Sequence, residues 1–284
     1  MEVSFYPGCT AHSTGIEFND SMHAAFGALG VELKEIDDWN CCGGAAAHSL
    51  SKMLGLALPA RNIRQAQESD LPLTISCAGC LNAVKTAHHA MANDPAVKAE
   101  LEDVLNFSFS GKVKIQAMHE VVIETIGLDK LKAKVTKPLT GLKVASYYGC
   151  ALVRKPEVMQ MGDFENPLFL DDIAEALGAE AIDWSYKTDC CGADIALTHG
   201  SVAVDLADKI IEGAREAGAD CVMSSCGLCQ INLDMRQSGL GGKKIPQLYY
   251  TELMGIAMQV GDQQEWWEKH IVNPIPLLKD KGLY

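Results

Sequence analysis

The sequence predicts an α/β protein of two tandem, pseudo-symmetric domains, residues 1–138 and 139–284, built of parallel-sheet βαβ units with cysteines at the carboxyl ends of strands. Three observations predict it. The first is an ordered cysteine pattern that occurs twice. Cys9, Cys41-Cys42-Gly43 and Cys77-Ala78-Gly79-Cys80 are followed by Cys150, Cys190-Cys191-Gly192 and Cys226-Gly227-Leu228-Cys229. The second is spacing: 34 residues separate the vicinal pair from the CxxC in both halves. Between lone cysteine and pair lie 31 residues in the first half and 39 in the second. Ten of the eleven cysteines belong to the pattern, so the chain is a duplication. The third is an alternation of strand-like and helix-like stretches, which implies right-handed crossovers and a parallel sheet. The cysteine intervals match roughly one βαβ unit, and ligand sites in open sheets form where the carboxyl ends of strands meet.

In order along the chain, Glu2 to Tyr6 is a short strand that delivers Cys9. A helix is predicted over 15–29, with Gly30 as its C-cap. Val31-Glu32-Leu33-Lys34-Glu35-Ile36 alternates apolar and polar residues, a strand signal leading to Cys41. Helical sequence then runs to about Glu68, with an interruption expected at Pro59. Leu71-Pro72-Leu73-Thr74-Ile75-Ser76 is a short apolar strand ending at Cys77. A helix after Cys80, another near 95–105, a strand over 113–117 and a helix over 119–127 complete the half. Residues 129–141, with Lys130, Lys132, Lys134, Lys137 and Pro138, read as a surface linker, a charged helix end being the alternative. The second half restarts with a strand over 142–148 and Cys150. A helix near 168–177, a strand near 180–184 and the Cys190-Cys191 turn come next. Val202, Leu206, Ile210 and Ala214 fall at i, i+4 spacing and predict an amphipathic helix. Cys221-Val222-Met223-Ser224 is the strand that ends at Cys226.

Length and composition bound the function. A chain of 284 residues suffices for two ordinary domains with a buried core. The start, Met1-Glu2-Val3-Ser4, has no basic region leading into an apolar stretch, so no secretory signal is expected. No run of about 18 apolar residues occurs, so no transmembrane segment is expected either. Many cysteines without a secretion signal favour metal or redox chemistry in the cytoplasm over structural disulfides. The net charge of -13 speaks against nucleic acid as a partner, since phosphates would be repelled.

Soft thiolates select zinc, Cu(I) or iron–sulfur clusters. A structural zinc site takes four ligands, as does an ordinary cubane cluster. Five cysteines per half exceed either count. Either one is a bystander or the cluster has an unusual shape, and zinc in both halves is the plainer alternative. No C-x2-C-x2-C-x3-C run, GxGxxG turn or Walker A motif is present. The chain therefore lacks an evident flavin, nucleotide or relay-cluster site, and electrons must come from a partner.

The order Cys, Cys-Cys-Gly, Cys-x-x-Cys, present twice over nearly the whole chain, resembles the CCG-domain proteins, and most of all the B subunit of the CoB–CoM heterodisulfide reductase family. The resemblance implies two tandem CCG domains, each holding a non-cubane [4Fe-4S] cluster with all five cysteines as ligands. One set would be Cys9, Cys41, Cys42, Cys77 and Cys80, the other Cys150, Cys190, Cys191, Cys226 and Cys229. It further implies cleavage of CoM-S-S-CoB or a similar small disulfide, each cluster delivering one electron. A ferredoxin-like C subunit and a flavin-containing A subunit are the implied partners. Bacterial relatives act in other electron-transfer complexes, so an electron-transfer subunit serving a non-disulfide substrate is the alternative.

Among the remaining residues, Cys221 reads as a small buried hydrophobe inside a strand. His48 and His199 follow the vicinal pairs and are candidates to donate to cluster sulfurs or to protonate a leaving thiolate, against the plainer reading of polar residues near a helix start. His88 and His89 sit on a helix as solvent-facing or capping residues. Trp266-Trp267 is expected to serve packing or a subunit contact. Lys85 and Arg154, near the cysteine loops, are candidates for an anionic substrate.

Overall fold

A computed structural model describes residues 1–239 and 244–284. Two four-stranded, all-parallel sheets repeat one topology. The first consists of β1 (Glu2–Tyr6), β2 (Glu32–Glu35), β3 (Leu73–Ile75) and β4 (Ile115–Ala117) in the order β2-β1-β3-β4. The second has β5 (Lys143–Tyr147), β6 (Glu180–Ala181), β7 (Cys221–Ser224) and β8 (Gln247–Tyr249) in the order β6-β5-β7-β8. Central strands are buried on both faces, as helix-covered parallel sheets require, and every residue of β3 and β7 is buried. The edge strand β2 is mostly exposed, with only Leu33 half-buried, and Lys34 on it pairs with Glu2 of β1 at 2.7 Å. The α/β class, the duplication and the placement of cysteine groups after strands all match the reading of the sequence.

Local differences have local causes. The Ile16–Ala28 helix ends where Gly30, at φ +77°, lets the Val31 N–H reach the Phe26 carbonyl at 2.9 Å. Pro59 does not interrupt the next helical stretch. The break falls at Ser51, whose backbone is extended and whose hydroxyl accepts the Leu54 N–H, separating the Gly44–Leu50 and Lys52–Ala66 helices. Pro59 lies buried inside the second, where packing of its ring offsets a missing hydrogen bond. The first part of the expected linker is a helix, Leu128–Lys134, with Leu131 buried and Lys130, Lys132 and Lys134 exposed.

The Gly200–Glu216 helix buries Ala203, Ala207, Ile210 and Ala214, whereas Val202 is exposed. The stripe turns at its start because Gly192 presses close: a Cβ there would lie 2.9 Å from Ala203 Cα. Strand β8 and the Tyr250–Met258 helix carry no clear periodicity in sequence. All nine residues of that helix are buried, because it packs against Ile16–Ala28 of the other half, with Ser21 Oγ 2.7 Å from Thr251 Oγ1. The halves thus share one core. Among the described residues no helix is long and apolar enough to cross a membrane.

Candidate metal centre

Each cysteine's position follows from its element. Cys9 opens a short 3-10 turn after β1, as Cys150 follows β5. Cys77 and Cys226 are the N-caps of the Ala78–Asn93 and Gly227–Met235 helices, and Cys80 and Cys229 stand in their first turns. Unsatisfied N–H groups and the helix dipole therefore face the sulfurs, an arrangement that favours thiolate. The glycine after each vicinal pair is required twice over. Gly43 and Gly192 have φ of +85° and +80°, and a Cβ on Gly43 would come within 2.5 Å of Ala47 Cβ. Their N–H groups donate to Cys41 and Cys190 Sγ at 3.5 and 3.4 Å.

The thiols form a chain of pairs. In the N-terminal set the Cys9 and Cys41 sulfurs are 3.7 Å apart and those of Cys42 and Cys80 3.3 Å apart. In the C-terminal set Cys191 and Cys229 are 3.5 Å apart. The two sets approach each other at Cys77 and Cys226, near enough for each thiol to shift the acidity of the other. Sharing of protons makes some of them acids. The Cys41 and Cys80 thiols draw Cys42 down to about 3, and Cys150 draws Cys190 down to about 6. Cys226 is held well below its ordinary value by Cys229 and Cys77, while Cys77, Cys80 and Cys229 are pushed up.

Two tyrosines hold the vicinal loops alike. Tyr6 Oη donates to the Asn40 carbonyl at 2.8 Å and Tyr147 Oη to the Asp189 carbonyl at 2.6 Å, each just before its Cys pair. A cavity of about 280 Å³ lies over the thiols, lined by all five N-terminal cysteines and, from the other half, by Cys150, Ala151, Arg154, Asp194 and Leu228. His48 also lines it. His199 does not; exposed, it caps its helix beside Thr198 Oγ1 at 3.0 Å. Lys85 is engaged between the halves, donating to the Met159 carbonyl at 2.9 Å beside Glu120, whereas Arg154 faces the cavity. Cys221 lies in the core, its thiol pushed up by burial. His88 packs against Phe109 and His89 is exposed, while Trp266 and Trp267 are buried packing residues.

Asp194 was not singled out in sequence. It follows Gly192 by two residues, and partial burial, then the charges of Cys226 and Cys42, push its carboxyl up. A carboxylate just past a CCG turn is the signal that could have flagged it. Among the described residues no group of three or more His, Cys, Asp or Glu side chains converges as a single-ion site would. Ten soft donors in two neighbouring sets suit iron–sulfur chemistry better than one zinc ion per half.

Comparison with known proteins agrees. The family model described as a cysteine-rich domain, CCG, matches twice, over residues 3–85 and 144–234. The chain is 31% identical over 267 residues to the 8-methylmenaquinol:fumarate reductase membrane anchor subunit of Wolinella succinogenes, covering 91% of this chain and 93% of that one. It is 27% identical over 288 residues to the B subunit of the ferredoxin/F(420)H(2)-dependent CoB-CoM heterodisulfide reductase of Methanosarcina acetivorans, covering 98% and 96%. A crystal structure of a hypothetical protein from Helicobacter pylori superposes with a TM-score of 0.74 over 95% of this chain. That match spans about half of the other chain, 51%, and at 11% identity it is a likeness of fold alone. With two cysteine-rich domains matched and relatives aligned over nearly its whole length, the chain belongs to the CCG-domain family that includes the B subunits of heterodisulfide reductases.

Proposed function

We propose that this chain is the iron–sulfur subunit of a heterodisulfide reductase-like complex and cleaves a small disulfide between two non-cubane [4Fe-4S] clusters. Cys9, Cys41, Cys42, Cys77 and Cys80 would hold one cluster, and Cys150, Cys190, Cys191, Cys226 and Cys229 the other. The observation that carries the reading is one cavity lined by all five cysteines of the first set and by Cys150 of the second. When bound, the clusters supply single electrons and iron open to sulfur. The balance is RSSR + 2 e⁻ + 2 H⁺ → 2 RSH, with electrons from a partner, a ferredoxin-like subunit fed by a flavin-containing one.

The chain's own residues do the rest. Ala83, Ala151 and Leu228 supply apolar walls that keep water from the disulfide. Arg154 offers a cation to an anionic substituent, and Asp194 stands on the wall where a product thiolate needs a proton. The reducing compartment expected for so many free thiols is the cytoplasm. Anaerobically reconstituted protein, given a one-electron donor and a small heterodisulfide, tests the reading: about eight iron and eight sulfide per chain with thiol release supports it. Two zinc ions and no sulfide would end it.

The similarity to a fumarate reductase subunit favours a second reading, an electron-transfer subunit whose clusters serve a non-disulfide substrate. Loaded protein that is readily reduced but leaves every small disulfide intact would select it.

A further inference from the structure

One side chain of the N-terminal half holds the turn that carries Cys150. Asn82 stands two residues past Cys80 on the Ala78–Asn93 helix. Its Nδ2 donates to the Ala151 carbonyl at 2.9 Å and to the Arg154 carbonyl at 3.3 Å. The turn itself is closed by the Val153 and Arg154 N–H groups, which donate to the Cys150 carbonyl at 3.2 and 2.9 Å. A single turn leaves its later carbonyls without partners of its own, and the amide takes two of them. Both acceptors are carbonyl oxygens, so only the NH2 end of Asn82 can face them. Asn82, Cys150, Ala151 and Arg154 all line the cavity. Further along the same helix, Lys85 Nζ donates to the Met159 carbonyl at 2.9 Å, and Thr86 Oγ1 accepts from Lys155 Nζ at 3.4 Å.

The other half is built differently at this point. The residue in the place of Asn82, two past Cys229, is Ile231, whose side chain has no donor. The turn after Cys9 is tied from within, Ser13 Oγ donating to the Cys9 carbonyl at 2.9 Å. There the Gly227–Met235 helix comes close by lacking bulk, since a Cβ on Gly227 would lie 2.8 Å from Thr10 Oγ1. The difference follows the length of the connection. Residues 151–168 separate Cys150 from the Phe169–Ala176 helix, where 10–15 suffice between Cys9 and the Ile16–Ala28 helix. A longer connection has more freedom to lose, so contacts from outside must fix it. The chain leaves the turn at Lys155, whose φ of +59° is uncommon without glycine. Arg154 therefore stands between a held carbonyl and a reversal of the chain, on the cavity wall.

We infer that Asn82 is a positioning residue: by holding the Ala151 and Arg154 carbonyls it fixes the Cys150 turn against the helix of Cys77 and Cys80 and keeps the Arg154 guanidinium over the cavity. Asn82 itself touches no reacting atom. It acts on an anionic substituent only through Arg154, and on the spacing of the two cysteine sets only through the turn. The service of Arg154 to a substrate rests on the disulfide reading above, whereas the clasp does not.

Two measurements test it, on the anaerobically prepared full chain and on Asn82→Leu, which keeps the branch at Cγ but has no donor. In hydrogen exchange, the Val153 and Arg154 amides should exchange about tenfold faster in the variant, while those of β5 keep their wild-type rates. With a one-electron donor, KM for dithiodiglycolate, which carries two carboxylates, should rise about tenfold, as for a lost hydrogen bond to charge. Its kcat, the iron content and KM for uncharged hydroxyethyl disulfide should stay within about twofold. In an Arg154→Gln background Asn82→Leu should raise KM no further, because the two residues act as one. Asn82→Ala, smaller and favourable in a helix, keeps the test valid if leucine crowds the cavity. Exchange that is unchanged, or faster throughout the chain, overturns the inference. So does a KM for dithiodiglycolate that stays put, or one that rises additively with Arg154→Gln. A chain that reduces no disulfide yet shows the local exchange retains the clasp while refuting the disulfide reading.

Discussion

The two halves share one topology, one cysteine order and one way of tying the vicinal loop to a tyrosine, yet they are not equivalent at the site. Every cysteine of the N-terminal set lines the cavity, whereas the C-terminal set contributes only Cys150. Behind the C-terminal set stands His270, its Nε2 2.8 Å from Glu252 Oε1 and with Asp234 and Glu17 near it; behind the N-terminal set stands Lys85, a cation against Glu120. Duplication supplied two alike cysteine sets, and divergence of the residues around them left one set lining the cavity and the other backed by a titratable interior. What differs is the side chains behind the cysteines, where substitution leaves the cysteines intact.

The sharpest break of this comparison is cysteine replacement. Cys42→Ser and Cys191→Ser should each lose about half of roughly eight iron and nearly all disulfide turnover, because serine is a harder, less readily ionised ligand. The other half's EPR signal should persist. Unchanged iron, signal and turnover in either variant would make that cysteine a bystander.

A smaller effect is expected from Asp194→Asn, which keeps the shape of the wall but cannot donate a carboxyl proton. Turnover should fall about 10²–10³-fold with little change in KM or iron content. Full activity would remove Asp194 from the reaction and leave the cavity's asymmetry without that consequence.

Stability should report the titratable interior. Burial, then Glu252, raises the Glu17 carboxyl to about 7 from 4.5, and His270, which burial pulls down but its acids outweigh, stands at about 9 against 6.5. Each folded value is above its unfolded one, so the folded state binds the proton more tightly. The stability contributed is present below about pH 4.5 for Glu17 and 6.5 for His270, and is lost as pH rises through about 7 and about 9. In the cluster-free chain the stability advantage of wild type over Glu17→Gln should therefore shrink as pH rises from about 5 to 7, and that over His270→Gln as pH rises from about 7 to 9, by at most about 3 kcal/mol each. An advantage that grows with pH over either range would contradict the assignment.

The smallest effects should be equal in the two halves. Tyr6→Phe and Tyr147→Phe each remove one hydrogen bond to the carbonyl before a Cys pair, costing about 1 kcal/mol in unfolding by denaturant. A cost that differs by more than about twofold would show that the vicinal loops are not held alike.

Much of this was legible in the chain. Thiol chemistry at a doubled 34-residue interval named all ten clustered cysteines, and alternation of elements gave the parallel sheets, because both signals are local and periodic. The break at Ser51 was missed because a capping hydroxyl outweighed the proline expected to interrupt the helix. Strand β8 and the Tyr250–Met258 helix were missed because an element buried on every side has no polar face to give a period.

What the sequence by itself determined is the doubled ten-cysteine pattern, since it depends on residue type and order alone, and the duplicated fold that gathers it. Only the tertiary structure decided that Cys77 approaches Cys226, that the cavity opens on the first set, and that Asn82 reaches the turn after Cys150. Those relations join residues of different elements and halves, and their energies depend on distance and burial, which arise only when the two sheets pack into one core.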